Sequence, residues 1–135
     1  MKNDYYHWHE IKSSLNERKK DVFFRERDIW FCHLGFNLGY EQNGTGKNFV
    51  RPIVIFKKFN LDTFYAVPLT SRKKEGRFYF SFSFKEKEST AILSQIRILD
   101  RRRLDRKIGV MTQNDFFSLQ KEVSDLLCTK SDPPR

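Results

Sequence analysis

Four side chains of types that act on phosphodiesters lie at the ends of apolar segments. Glu41 follows one strand-like apolar run, and Arg51 begins the next. Thr70 and Ser71 end a third apolar run. A carboxylate can accept a proton, a guanidinium can bind two phosphoryl oxygens, and hydroxyls can hydrogen-bond the same group. These residue types at strand ends indicate phosphodiester chemistry.

Hydrophobic patterning predicts the elements that must position these residues. Period-two alternation and β-branched or aromatic runs indicate strands over residues 27–35, 50–57, 63–69, 78–84, 90–99 and 107–111. Helical spacing of apolar residues indicates helices over residues 4–20 and 113–128, the second capped by Thr112 or Asn114. Several short strands with a closing helix predict a small, strongly bent antiparallel barrel.

The bulk composition indicates one basic domain. The chain has 135 residues and a formal net charge of +9, which favours a polyanionic partner. We expect residues 1–24 to form a helical extension, residues 25–128 the barrel and residues 129–135 a disordered tail. Two cysteines, no signal-peptide pattern and no membrane-length apolar run lead us to expect a cytoplasmic protein that does not associate with membranes.

Six short segments follow one another along the chain in a distinctive order. They are Arg27-Asp28-Ile29-Trp30, Gly39-Tyr40-Glu41-Gln42, Arg51-Pro52-Ile53-Val54-Ile55, Val67-Pro68-Leu69-Thr70-Ser71, Gln95-Ile96-Arg97, and Asp100-Arg101-Arg102-Arg103-Leu104 with Lys107-Ile108-Gly109. In type, order and spacing they resemble the MazF/PemK family of toxins, the endoribonuclease half of type II toxin–antitoxin pairs. The resemblance covers about residues 25–127.

The resemblance implies an SH3-like barrel, a homodimer, and cleavage of single-stranded RNA without a metal or another cofactor. It also implies an antitoxin partner whose acidic, flexible tail blocks the RNA groove, and DNA binding by the toxin–antitoxin complex. The basic surface is consistent with both an RNA substrate and an acidic inhibitor.

For the reaction that this resemblance implies, three residues are candidates for catalysis. Cleavage by the RNA's own 2′-hydroxyl leaves a 2′,3′-cyclic phosphate and needs a base and a clamp for the charged phosphorane. Glu41 is the candidate base and Arg51 the candidate clamp. Thr70 would hydrogen-bond the phosphate and fix its orientation. The plainer alternatives are an Arg51–Glu41 ion pair and a hydroxyl that caps a turn.

A second group of residues is assigned to substrate binding. Basic and hydroxyl side chains next to Thr70 would contact phosphates, and aromatic side chains on loops could stack on unpaired bases. This group comprises Gln42, Ser71, Arg72, Lys73, Tyr40, Phe49 and Gln95. The basic run 101–107 is instead expected to brace the barrel.

The chain also departs from the family pattern. Residues 45–49 look like an insertion between Glu41 and Arg51. Ile92 and Ser94 stand where the PemK-like branch has an arginine and an aspartate, and Tyr40 stands where that branch has a histidine. These departures leave an alternative open: a non-catalytic module that binds nucleic acid or poisons a protein target, as CcdB-like relatives do.

Overall fold

The computed structural model describes residues 11–12, 22–34 and 50–128. Seven strands and one helix follow in order: β1 Asp28–His33, β2 Val50–Lys58, β3 Thr63–Thr70, β4 Tyr79–Phe84, β5 Lys87–Ile92, β6 Arg97–Asp100, β7 Leu104–Val110 and α1 Gln113–Cys128. The predicted helix over residues 4–20 and the tail 129–135 lie outside the described residues, apart from residues 11–12.

The strands form one antiparallel sheet that does not close on itself. Its order is β4-β5-β3-β2-β1-β7, and β6 pairs with β3 beside β5. The expected mainly antiparallel fold with a C-terminal helix is confirmed, whereas barrel closure is wrong. A 3-10 turn, Arg101–Arg103, joins β6 to β7, and these two strands pair with β3 and β1 respectively instead of with each other.

Both faces of the sheet are apolar, because alternate side chains of the central strands belong to two separate hydrophobic clusters. The helix-side cluster contains Ile29, Val54 and Val67 and packs under Phe116, Leu119 and Val123 of α1. The opposite-side cluster contains Phe24, Trp30, Cys32, Ile53, Ile55, Phe64, Ala66, Leu99 and Leu104, among others. Such two-sided burial fits the nearly continuous apolar runs of β2 and β3.

The single strand predicted over residues 90–99 is wrong. The chain instead leaves β5 at Ile92, makes a 3-10 turn over Leu93–Gln95, and begins β6 at Arg97. Because of this break, β5 pairs with the end of β3 and β6 pairs with the beginning of the same strand. Strand-like apolar residues on both sides of Ser94 and Gln95 hide the break.

The C-terminal helix is confirmed at both ends. The Thr112 hydroxyl accepts a hydrogen bond from the Asp115 backbone N–H at 3.1 Å, as an N-cap does. Phe116, Leu119 and Val123 are buried, whereas Leu127, which the apolar pattern also assigned to the buried face, is exposed. No helix among the described residues combines the length and apolarity that crossing a bilayer requires.

The β4–β5 hairpin turns tightly and packs closely on β7. Lys85 and Glu86 both have positive φ, of 51° and 64°, the backbone form that matches the strand twist in two-residue hairpins. A Cβ on Gly109 would lie 2.5 Å from the Phe84 ring. Glycine at this position therefore lets the hairpin's last aromatic ring sit against β7.

Candidate active site

The structure describes six of the ten candidate residues. Arg51, Thr70, Ser71, Arg72, Lys73 and Gln95 fall within it. Tyr40, Glu41, Gln42 and Phe49 lie outside the described residues, so their roles stay predictions.

The strand register brings Arg51 and Thr70 to the same end of β2 and β3. The pairing of these strands runs as far as Ile53 with Pro68, and its continuation by two residues on each strand leads to Arg51 and Thr70. Because directly opposed residues point to the same face of a sheet, both side chains lie on the face of the opposite-side cluster. On the other side of β2, Arg51 pairs with Cys32 of β1.

Thr70 is buried, and its hydroxyl is already oriented by the backbone. Its Oγ1 accepts the Arg72 backbone N–H at 3.2 Å, so the plain prediction of a hydroxyl that closes a turn is confirmed. A hydroxyl has a second lone pair and one proton to donate, so this bond leaves its donor function available. The same contact thus stabilises the turn and fixes where the hydroxyl lies.

Two further hydroxyl side chains, those of Thr90 and Ser81, continue from Thr70 across the neighbouring strands. Thr70 pairs with Thr90 of β5, and Thr90 with Ser81 of β4. The Thr90 and Ser81 hydroxyl oxygens are 3.0 Å apart, and Thr90 is buried. Sequence reasoning missed Thr90 as a neighbour of the candidate site, although its polar side chain precedes an apolar strand end.

Arg51 and Arg72 bring two positive charges together. Burial lowers the pKa of the half-buried Arg51 guanidinium, and the positive charge of Arg72 lowers this pKa further. An arginine stays protonated in proteins, so the repulsion persists instead of being relieved by proton loss. A bound anion would offset both the burial and the repulsion. The pair therefore has the electrostatics of a phosphate site.

The remaining described candidates surround this pair at different depths. Ser71, Arg72 and Lys73 are exposed on the segment that follows β3. Gln95 is half-buried in the 3-10 turn Leu93–Gln95, which contacts β3. Of these, Arg72 contacts Thr70 directly through its backbone N–H.

Cys32 lies beside the site but is not a nucleophile. Burial raises the pKa of its thiol to about 12, although the positive charges of Arg103 and Arg97 act in the opposite direction. A thiol must ionise to attack, so this cysteine is inert near neutral pH.

The basic run 101–107 braces the fold, as the sequence predicts. Arg101 Nε lies 2.9 Å from Asp62 Oδ1, and Arg102 Nε lies 2.9 Å from Asp100 Oδ1. Lys107 Nζ lies 3.3 Å from the buried Asp28 carboxylate, which ties β7 to β1.

Residues 25–127 match the family described as the PemK-like, MazF-like toxin of type II toxin–antitoxin systems. The chain belongs to this family, whose known members are endoribonucleases. The matched span coincides with the sheet, the Arg51–Arg72 pair and α1. No protein with a curated function matches the sequence.

Solved structures share the fold at low sequence identity. MazF from Deinococcus radiodurans superposes with a TM-score of 0.63 at 17% identity, covering 81% of this chain and 100% of that one. A mycobacterial endoribonuclease in complex with its cognate antitoxin gives 0.62 at 14%, covering 82% and 100%. The Mycobacterium tuberculosis toxin MazF-mt6 gives 0.59 at 13%, covering 78% and 100%.

Proposed function

We propose that this protein is the toxin of a type II toxin–antitoxin system and cleaves single-stranded RNA without a metal ion. The observation that carries the proposal is the meeting of Arg51, Arg72 and Thr70 at the ends of β2 and β3. Two guanidinium groups and an oriented hydroxyl fit one phosphodiester. Membership of a family of endoribonucleases supports the same reaction.

In the proposed mechanism the RNA supplies its own nucleophile. Glu41 removes the proton of a 2′-hydroxyl, which attacks the adjacent phosphorus as the bond to the 5′-oxygen breaks. The departing 5′-oxygen takes a proton from water, so the products are a 2′,3′-cyclic phosphate and a 5′-hydroxyl. Arg51 binds the phosphoryl oxygens and stabilises the charge that grows on them in the transition state.

Arg51 acts as a charge in this mechanism and not as an acid. Its pKa is lowered by burial and by Arg72, but arginine starts far above neutral pH and stays protonated. Thr70 donates a hydrogen bond to a phosphoryl oxygen while its Oγ1 accepts the Arg72 N–H, so the phosphate is held against a fixed group.

The neighbouring residues would hold the rest of the strand. Ser71 and Lys73 are exposed next to Thr70 and would contact flanking phosphates. Gln42 and Gln95 would hydrogen-bond bases, and Tyr40 and Phe49 would stack on them.

The proposal includes a homodimer, an acidic antitoxin and a cytoplasmic location. A net charge of +9 favours a polyanionic substrate and an acidic inhibitor alike. Two solved structures of the same fold are described as toxin–antitoxin complexes, one mycobacterial and one the MazE-MazF pair of Deinococcus radiodurans.

The test compares three pools of the same oligonucleotides in EDTA: all-RNA, all-DNA, and RNA with 2′-O-methyl groups. We expect only the plain RNA to be cut, with cyclic phosphate ends, and the cut to be lost in Arg51→Ala. Arg101→Ala is the matched control, because it removes an arginine that pairs with Asp62 away from the site.

Two results would reject the proposal. Cleavage of the 2′-O-methyl pool would exclude attack by the 2′-hydroxyl. An absence of cleavage in a varied RNA pool would favour the other class of function, a module that binds nucleic acid or poisons a protein target.

A further inference from the structure

Arg97 is a half-buried cation on the inner side of its strand. It begins β6, pairs with Ala66 of β3, and shares a face with the buried Leu99 of the opposite-side cluster. Among the described residues its guanidinium has neither a hydrogen-bond nor an ion-pair partner. Charged side chains in such positions normally pair, because removing a charge from water costs free energy. Arg97 is thus suited to binding an anion.

Arg103 supplies a second guanidinium to the same place. Its Nη1 donates a hydrogen bond to the His33 backbone oxygen at 3.1 Å, which anchors it at the end of β1. Burial lowers the pKa of Arg103, and the positive charge of Arg97 lowers it further. The two guanidinium groups therefore lie within electrostatic range of each other.

Two carboxylates lie near these arginines. Asp100 accepts hydrogen bonds from the Arg102 backbone and guanidinium, and its negative charge also acts on Arg103 in the direction that raises the pKa of that guanidinium. Asp105 Oδ1 lies 3.6 Å from His33 Nε2, beyond hydrogen-bond distance. Asp100 is therefore shared between Arg102 and Arg103.

This pair of arginines lies next to the candidate active site. Both act electrostatically on the Cys32 thiol, and Cys32 is the cross-strand neighbour of Arg51. Arg97 and Arg103 therefore lie within electrostatic range of the residue that pairs with Arg51.

We infer that Arg97 and Arg103 form a second phosphate subsite, which binds an RNA phosphate adjoining the one held by Arg51 and Arg72. The inference rests on the proposed function. A guanidinium fork matches two phosphate oxygens, and a single strand presents phosphates in series, so two neighbouring arginine pairs fit two phosphates of one strand. Arg97 is the binding residue that can be tested, since Arg103 also anchors the His33 backbone.

The experiment measures RNA affinity with Arg97→Gln and the matched control Arg101→Gln. The probe is the RNA cut by the wild type, made resistant by one 2′-deoxy nucleotide at the cut. We expect Arg97→Gln to bind about tenfold more weakly, the typical loss of a charge-assisted hydrogen bond. Its plot of log Kd against log salt should be shallower by about 0.7, the change for one single-strand phosphate contact. Arg101→Gln should keep both values.

A second measurement works with the wild-type protein. Each phosphate near the cut is replaced in turn by a neutral methylphosphonate. One adjoining phosphate should weaken wild-type binding when neutralised and have no further effect on Arg97→Gln, or on Arg97→Met should the glutamine variant not fold. Equal losses in the wild type and the variant would overturn the inference.

The outcomes separate this inference from the proposed function. If the wild type cuts RNA and Arg97→Gln binds RNA as tightly as Arg101→Gln does, the second phosphate subsite is rejected. The proposed endoribonuclease activity is then retained. If the wild type neither cuts nor binds RNA, both the subsite and the proposed endoribonuclease activity are rejected.

Discussion

In the run 101–107 three cationic side chains, Arg101, Arg102 and Lys107, meet carboxylates, and at the ends of β2 and β3 Arg51 lies within electrostatic range of a second arginine, Arg72. Arg101 pairs with Asp62 and Arg102 with Asp100, each at 2.9 Å. Arg51, by contrast, has its pKa lowered by burial and by Arg72. The same residue type thus stabilises the fold in one region and concentrates positive charge in the other.

This difference separates stability from activity in a basic protein. Exposed ion pairs contribute little to the free energy of unfolding. The carboxylate of such a pair nevertheless binds the arginine, which is then less able to bind another anion. Two like charges held together cost stability, and a bound anion relieves that cost. Substitutions in the two regions should therefore change different measurements.

The largest expected effect is the loss of cleavage in Arg51→Ala. Removing a preorganised charge that stabilises the transition state should lower the cleavage rate about a thousandfold. The thermal midpoint should change far less than the rate, because burial and the charge of Arg72 both disfavour the Arg51 guanidinium in the folded protein. Single-turnover cleavage and thermal unfolding measure the two quantities. A variant that unfolds in proportion to its lost activity would place Arg51 with the bracing arginines.

The next effect is on stability alone. The buried Asp28 carboxylate accepts the Arg25 backbone N–H at 2.9 Å and lies 3.3 Å from Lys107 Nζ. Asp28→Asn should lower the free energy of unfolding by about 2 kcal/mol, because a buried carboxylate loses its charge-assisted contacts with the Arg25 N–H and with Lys107. Asp62→Asn, at an exposed pair, should change it by less than about 1 kcal/mol. Denaturant unfolding measures both, and the cleavage rate per folded molecule should stay at the wild-type value.

Thr70 is expected to contribute both to the stability of the fold and to cleavage. Thr70→Val keeps the shape but loses the Oγ1 that accepts the Arg72 N–H, so the free energy of unfolding should fall by about 1 kcal/mol. Loss of a hydrogen bond to a charged phosphate should slow cleavage by about ten- to a hundredfold. Thr70→Ser, which keeps the hydroxyl, should retain most of both. Equal activity in the valine and serine variants would reduce Thr70 to a turn cap.

The sequence predicted most of the fold because its apolar patterns are local. The strands that became β1 to β4 and the helix α1 are each visible as a run or a periodicity, and Thr112 marks the start of α1. The break at Leu93–Gln95 was not visible, since the turn is imposed by the two partners that β3 offers along its length. Barrel closure failed for a related reason: pairing between distant strands leaves no local pattern.

The site was predictable in its residue types and not in its contacts. Arg51 and Thr70 stand at strand ends in the sequence, but their alignment depends on the β2–β3 register. The approach of Arg72 to Arg51 and of Arg97 to Arg103 depends on where three-dimensional packing leaves long side chains. In the sequence, Arg97 is simply one more basic residue ahead of the run 101–107.

The smallest expected effect is on the salt dependence of RNA binding. Arg72 is exposed beside Thr70, so Arg72→Gln should remove one phosphate contact and reduce the slope of log Kd against log salt by about 0.7. Arg102→Gln removes the same charge from a residue engaged by Asp100 and should leave the slope unchanged. Both variants lower the net charge equally, so a general field effect would reduce the two slopes alike. A difference confined to Arg72 would show that the contact, and not the overall charge, binds the strand.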